Sequence, residues 1–205
     1  HCAEYTVEAG RPDTITDDKL RTLRAHGVDR ISVNPQTMSD EVLNVIGRRH
    51  TAADIVEALE KARKVGGMEV NMDLIAGLPA DSAEGFEKTL DTVIALDPEN
   101  ITVHTLSLKK GSRITLEGSA IPSDAEVGKM LDIAQDKLRR GGWAPYYLYR
   151  QKFMSGGFEN VGWCRPGYTG LYNIYMMEEL HSILSLGGGG MNKINLPEEK
   201  LARYP

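Results

Sequence analysis

The sequence predicts an α/β fold built on a parallel sheet, and three observations carry that expectation. Strand-like runs alternate with helical stretches through the first 142 residues, and strands joined in that way pair in parallel through right-handed crossovers. Several helical stretches open on residues that cap well: Thr16, Thr51-x-x-Asp54, Asp81-x-x-Glu84 and Ser123-x-x-Glu126. Each strand-like run also divides by parity into one apolar and one polar set.

In order, residues 4–8 read as a strand and residues 16–26 as a helix capped by Thr16. Residues 30–34 form the second strand, and residues 39–46 and 51–65 two helices. Residues 69–76 are the third strand, followed by a helix that opens at Asp81 and runs to about Leu96. Residues 101–106 are the fourth strand, and the helix from Ser123 stops at Gly141-Gly142. The rhythm then changes. Residues 143–149 are aromatic and strand-like, residues 151–170 are rich in Gly and aromatics without a clear period, and residues 172–184 read as an amphipathic helix. Its stripe of Met176, Met177, Leu180, Ile183 and Leu184 is read as core. We therefore divide the chain into residues 1–142 and a C-terminal α+β extension, residues 143–205.

On the strands, Tyr5 and Val7, Ile31 and Val33, Val70, Met72 and Leu74, and Ile101 and Val103 form the apolar set. Opposite them lie Glu4, Thr6 and Glu8, Ser32 and Asn34, Asn71 and Asp73, and Thr102 and His104. A doubly wound sheet buries both faces and reads as continuous apolar strands. A packed barrel fills its interior with branched apolar side chains. A polar inner face with Glu8, Asp73 and His104 is costly to bury dry; it suits a sheet curled around a large polar ligand, the plainer alternative being a self-satisfied polar core with bound water. Parallel α/β folds bind at the carboxyl ends of their strands, so Glu8, Gln36 and Asp73, placed at or just past those ends, are the candidate site.

Composition narrows the classes. The chain has 205 residues, 41% of them hydrophobic and 26% charged, which excludes disordered and fibrous chains. With 24 basic and 29 acidic residues interspersed and no basic stripe, no nucleic-acid footprint is visible. No apolar run is long enough for a membrane span. Only two cysteines, Cys2 and Cys164, are present, which points to a reducing cytoplasmic setting and excludes a closely spaced metal-ligand pair. The start runs straight into a strand and the end has no closing element, so we expect a fragment of a larger protein.

A series of motifs adds a resemblance. Val7-Glu8-Ala9-Gly10, Arg30-Ile31-Ser32-Val33-Asn34-Pro35-Gln36, Ile46-Gly47-Arg48-Arg49-His50 and Asn71-Met72-Asp73-Leu74-Ile75-Ala76-Gly77-Leu78-Pro79 resemble the radical S-adenosylmethionine (SAM) enzymes of the oxygen-independent coproporphyrinogen III oxidase family. Tyr149-Arg150-Gln151-Lys152, Glu159-Asn160-Val161-Gly162 and residues 172–179 are most similar to its coproporphyrinogen dehydrogenase (HemZ) subgroup. The resemblance implies a partial (β/α) TIM-like barrel of the radical SAM type holding SAM on its inner face. It further implies that Glu8 holds the methionyl amino group or nearby polar SAM atoms, that Gln36 and Arg48 contact the ribose and carboxylate end, and that Asp73 holds a ribose hydroxyl. Carboxylates suit an ammonium and hydroxyls, and a guanidinium suits a carboxylate. The implied activity is oxidative decarboxylation of coproporphyrinogen III to protoporphyrinogen IX in haem biosynthesis, with a porphyrinogen substrate and a reductant protein as partners. A haem-binding chaperone on the same scaffold, or a radical SAM enzyme with another substrate, is the alternative.

The family's [4Fe–4S] cluster sits on C-x3-C-x2-C, which this sequence lacks, so we expect the cluster ligands upstream of His1 and the fragment alone to be inactive. No catalytic residue is assigned. His50 is read as a capping or surface residue, and His104 as either a ligand contact or a hydrogen-bonded core histidine. Lys109, Lys110, Arg113, Arg139, Arg140, Arg150 and Lys152 are candidates for porphyrinogen carboxylates, with solvated surface charge as the default reading. Tyr146, Tyr147 and Tyr149 either wall the substrate or pack. The Gly187 to Gly190 run either closes the site or is a loop.

Overall fold

The structure is a computed structural model and describes residues 2–107, 120–150, 155–196 and 200–204. Its contacts divide into two compact units, residues 1–169 and 170–205.

The first unit is a six-stranded sheet with helices packed on one face. Four parallel strands, β1 (Thr6–Gly10), β2 (Arg30–Val33), β3 (Glu69–Ala76) and β4 (Asn100–Thr105), lie in chain order. β5 (Ala144–Tyr149) and β6 (Asn160–Cys164) continue the sheet in the order β4-β6-β5, and both pairings are antiparallel. The change of rhythm after Gly142 is thus the switch from parallel to antiparallel pairing. β1 is one edge of the sheet.

The helices are α1 (Asp17–Ala25), α2 (Asp40–Val45), α3 (Ala52–Val65), α4 (Ala83–Leu96) and α5 (Asp124–Arg140). Thr16, Ser39, Thr51 and Ser123 cap four of them with side chains that accept a backbone N–H, and Thr51 with Asp54 closes a full capping box. At α4 the expected cap is displaced by one residue. Ser82 Oγ accepts the Gly85 N–H, while Asp81 Oδ1 accepts the N–H of Ser82 itself. The apolar strand set meets these helices: Ile31, Met72, Leu74 and Ile101 pack with Leu20, Ile55, Leu59, Phe86, Leu90 and Met130, all fully buried.

Three further expectations change. The first strand is Thr6–Gly10 rather than 4–8, with a register shift between Glu8 and Gly10. The stretch after residue 151, read as irregular, contains β6. His50 is 3% exposed and is neither a cap nor a surface residue, since the adjacent Thr51 supplies the cap.

The second unit holds α6 (Leu171–Met177) and a hairpin of β7 (Asn192–Leu196) and β8 (Lys200–Tyr204). The helix expected over 172–184 stops at Met177, Glu179 adopts φ 52°, and Ile183 bridges Lys193 as an isolated antiparallel pair. The apolar stripe is consequently not core: no residue of α6 is buried, and Leu180 and Leu184 are exposed. The glycine run makes a turn in which the Gly190 N–H donates to the Gly187 carbonyl.

Candidate functional site

The polar face of the sheet is continuous across its strands. Register places Glu8 beside Ser32, Ser32 beside Asn71, and Asp73 beside Thr102. At the amino end of the strands this face is closed. Arg30, 5% exposed, pairs with Glu69, donates to Asn100 Oδ1 and reaches the Tyr168 carbonyl at 3.2 Å. Burial pushes the Glu69 carboxyl above its ordinary value, and the Arg30 guanidinium opposes that rise.

Toward the carboxyl end the face opens into a cleft of about 320 Å3 lined by Gln36, Asp73, Ile75, His104, Thr105, Leu106, Ser107, Tyr149 and Asn160. Gln36 is held there by its backbone. It forms an isolated parallel bridge with Leu74, donating its N–H to the Asp73 carbonyl at 2.9 Å and accepting from the Ile75 N–H at 2.9 Å. Its φ of 69° is a left-handed conformation that a non-glycine residue keeps only when its surroundings fix it.

Asp73 belongs to a hydrogen-bonded network. Asn71 Nδ2 donates to its Oδ1 at 2.7 Å, and His104 Nε2 lies 3.7 Å from the same oxygen. Thr102 Oγ1 donates to Asn71 Oδ1 at 3.1 Å, and Tyr149 Oη contacts His104 Nδ1 at 3.3 Å. Glu8 accepts from Ser32 Oγ at 3.1 Å and from Asn34 Nδ2 at 3.2 Å. Tyr147, 9% exposed, lies against Thr102, and its burial pushes the phenol's pKa up.

The structure therefore brings Gln36 and Asp73 into one cleft and puts Glu8 on the same face, two strands from Asn71, or about 10 Å by strand spacing. Glu8 and Asp73 lie within β1 and β3 rather than at their ends, so the site reaches into the sheet instead of resting on its rim. Arg48 follows α2, half-buried, with its backbone N–H on the Leu43 carbonyl; among the described residues no contact joins its side chain to the other three. His104 and Tyr149 are brought into the cleft by β4 and β5. Asn160 was missed with β6; the alternation of Val161 and Trp163 on one side of Gly162 was the available signal. Lys109, Lys110, Arg113 and Lys152 lie outside the described residues, while Arg140 and Arg150 make surface ion pairs with Asp136 and Glu159.

The pattern of the radical SAM superfamily matches residues 4–93. The oxygen-independent coproporphyrinogen-III oxidase-like protein HemZ of Bacillus subtilis is 44% identical over 192 residues, covering 93% of this chain and 38% of that protein. The chain carries a radical SAM domain over residues 4–93. The haem chaperone HemW of B. subtilis is 30% identical over 176 residues, covering 82% of this chain and 46% of that protein. The solved structure of Escherichia coli coproporphyrinogen III oxidase (HemN), described as a radical SAM enzyme, aligns with a TM-score of 0.72 at 23% identity, covering 93% of this chain and 44% of that one. That likeness establishes the radical SAM fold, a partial (β/α) barrel. The chain spans less than half the length of each of these proteins.

Radical SAM proteins use SAM and a [4Fe–4S] cluster, and the residues present differ in how they fit the two. The donor set fits SAM. No described hydrogen bond engages Asp73 Oδ2, the Gln36 amide shares its cleft, and Asn34 Oδ1 is buried without a partner beside the Glu8 carboxylate, where a ligand donor would satisfy it. The cluster does not fit. The chain has two cysteines where three thiolates are needed. Cys164 pairs in register with Asn100 at the amino end of β4, away from the cleft, and burial pushes its thiol's pKa up. Cys2 is exposed before β1. Among the described residues, no group of three or more His, Cys, Asp and Glu could hold a metal.

Proposed function

We propose that this chain is the SAM-holding portion of a radical SAM oxidoreductase of haem biosynthesis, whose whole protein oxidatively decarboxylates coproporphyrinogen III to protoporphyrinogen IX. The observation that carries this reading is the 44% identity to HemZ across 93% of the chain. In each of two steps a propionate loses a β-hydrogen atom, carbon dioxide and one electron and becomes a vinyl. SAM supplies the hydrogen-abstracting group when bound and reduced, and the electron comes from a cluster that these 205 residues do not hold.

The chain's own contribution is to bind and orient. Asp73 Oδ2 accepts a ribose hydroxyl, with the carboxylate fixed through Oδ1. Glu8, held by Ser32 and Asn34, takes the methionyl ammonium. Gln36, pinned to β3 on both sides, offers its amide to the ribose, and Arg48 pairs with the methionyl carboxylate. The partners are a porphyrinogen and a reductant protein, in the cytoplasm, with no role for nucleic acid. No described helix is long and apolar enough to cross a membrane.

A specific observation favours a second reading, a haem chaperone: the 30% identity to HemW. One experiment separates the two. The whole protein is reconstituted anaerobically with iron, sulfide and SAM and given coproporphyrinogen III, and porphyrins are separated chromatographically. Protoporphyrinogen IX with carbon dioxide is expected. SAM cleavage with coproporphyrinogen unchanged would overturn the substrate assignment, and stoichiometric haem binding without decarboxylation would establish the chaperone.

A further inference from the structure

We infer that His104 is a positioning residue that, with Tyr149, tethers Asp73 to the antiparallel half of the sheet; this rests on the reading of Asp73 as a SAM ligand. Two arms of donors converge on one carboxylate oxygen. In the first, Thr102 Oγ1 donates to Asn71 Oδ1 and Asn71 Nδ2 donates to Asp73 Oδ1. Because the Thr102 hydrogen is committed to Asn71, its 3.4 Å contact with Tyr147 is donated by the phenol. In the second arm, His104 Nε2 lies 3.7 Å from Asp73 Oδ1, beyond hydrogen-bond length but close enough for the two dipoles to act on each other. The carboxylate can only accept, so His104 presents Nε2–H toward it, and Nδ1 accepts from the Tyr149 hydroxyl. The chain of donors in each arm runs toward Asp73, and aligned donors of this kind polarise one another.

The reach from β5 to β4 is made possible by Gly162. β6 separates the two strands, and its backbone at Gly162 lies beneath the Tyr147 ring: a Cβ there would sit 1.8 Å from Tyr147 Cε1. With no side chain at Gly162, the Tyr147 ring lies over β6; Tyr149, in register with Asn160, runs nearly parallel to it with rings 8° apart, and each sets its hydroxyl against an inward residue of β4, Thr102 and His104. His104 needs no contact with ligand in this arrangement. By holding Oδ1 it turns Oδ2 to the cleft.

The test uses His104→Phe, His104→Gln and Tyr149→Phe, with SAM binding measured by calorimetry and folding by thermal melts. His104→Phe is expected to weaken SAM binding about tenfold and Tyr149→Phe about threefold. His104→Gln, whose amide offers a donor near the Nε2 position, is expected to restore affinity to within about twofold. Nitrogen NMR of His104 should show the Nε2–H tautomer, and Tyr149→Phe should release it to a mixture, which a merely space-filling histidine would not do. If the unaltered protein does not bind SAM, the proposed function fails, while the tautomer still tests the tether. If it binds and His104→Phe binds equally well, or if Tyr149→Phe leaves the tautomer unchanged, the tether is overturned and the function stands. Should His104→Phe fail to fold, Tyr149→Phe and His104→Gln carry the test.

Discussion

Replacing Asp73 by Asn isolates one oxygen of the site. The fixed surroundings of the carboxylate determine how the amide must sit. Oδ1 receives the Asn71 amide at 2.7 Å and faces His104 Nε2 at 3.7 Å, so the substituted carbonyl oxygen has to take that place. The amide nitrogen then occupies the Oδ2 position, and an acceptor aimed at the cleft becomes a donor. A hydrogen bond to a charged group is worth about 1.5–3 kcal/mol, so SAM affinity is expected to fall roughly 10- to 150-fold. The Asp73 side chain is only 17% exposed, but the internal hydrogen bond survives, and the melting temperature is expected to move little. Calorimetric titration of SAM, paired with a thermal melt, reads both quantities. Unchanged affinity would remove Asp73 from the site. A loss of affinity accompanied by a large fall in melting temperature would instead show that the carboxylate holds the sheet together, refuting the argument that its free oxygen serves a ligand.

Three other substitutions follow from particular geometry. Gly162→Ala drives a Cβ to 1.8 Å from the buried Tyr147 ring and should cost about 1–3 kcal/mol, read as a lower melting temperature; an unchanged melt would deny the close approach. Gln36→Gly and Gln36→Ala both remove the amide, but only Gly fits φ 69° without strain, so the Gly variant should be the more stable by about 1 kcal/mol, with equal loss of SAM affinity. Asp81 has its carboxyl raised above the ordinary 3.8 by burial, with Oδ2 buried and unpartnered. Its folded form therefore binds a proton more tightly than its unfolded form, a contribution that favours folding at low pH and is lost as pH rises through the folded value. Asp81→Asn keeps the bond from the Ser82 N–H; it should raise stability at pH 7 and lose that advantage in melts below about pH 4, and an advantage that persists there would refute the burial argument.

The α/β order and the polar interior were legible because both rest on local signals. Capping residues such as Thr51 with Asp54, and two-residue alternation such as Val70 to Leu74 against Asn71 and Asp73, act within a few positions of themselves. The candidate set of Glu8, Gln36 and Asp73 could be read for the same reason, since parity alone puts Glu8 and Asp73 on one face. What escaped depends on partners distant in sequence. β6 was hidden because a glycine interrupts a five-residue strand, and the ring that explains that glycine comes from β5. The long helix expected after Gly170 was inferred from an apolar stripe, yet such a stripe forms a core only against a partner, and β-bridging of Ile183 to Lys193 takes its last turns. His50 was misjudged because sequence position beside a cap says nothing about burial.

The division of the polar face into two halves explains how one interior can be both satisfied and open. At the amino end, the Arg30 guanidinium commits its two terminal nitrogens to Glu69, Asn100 and the Tyr168 carbonyl, with Nε buried and unpartnered. A buried charge that is paired and hydrogen-bonded in this way seals its end of the sheet, because water or ligand could replace those contacts only by stranding it. At the carboxyl end two residues are held in ways that leave polar atoms uncommitted in the cleft. Asp73 is bound through Oδ1 and offers Oδ2, while Gln36 is bound through its main chain and offers its amide. A polar core built only for stability would close both ends alike. The asymmetry supports the proposal that a polar ligand completes the face at the carboxyl end, the same end to which Tyr149 of β5 brings its hydroxyl.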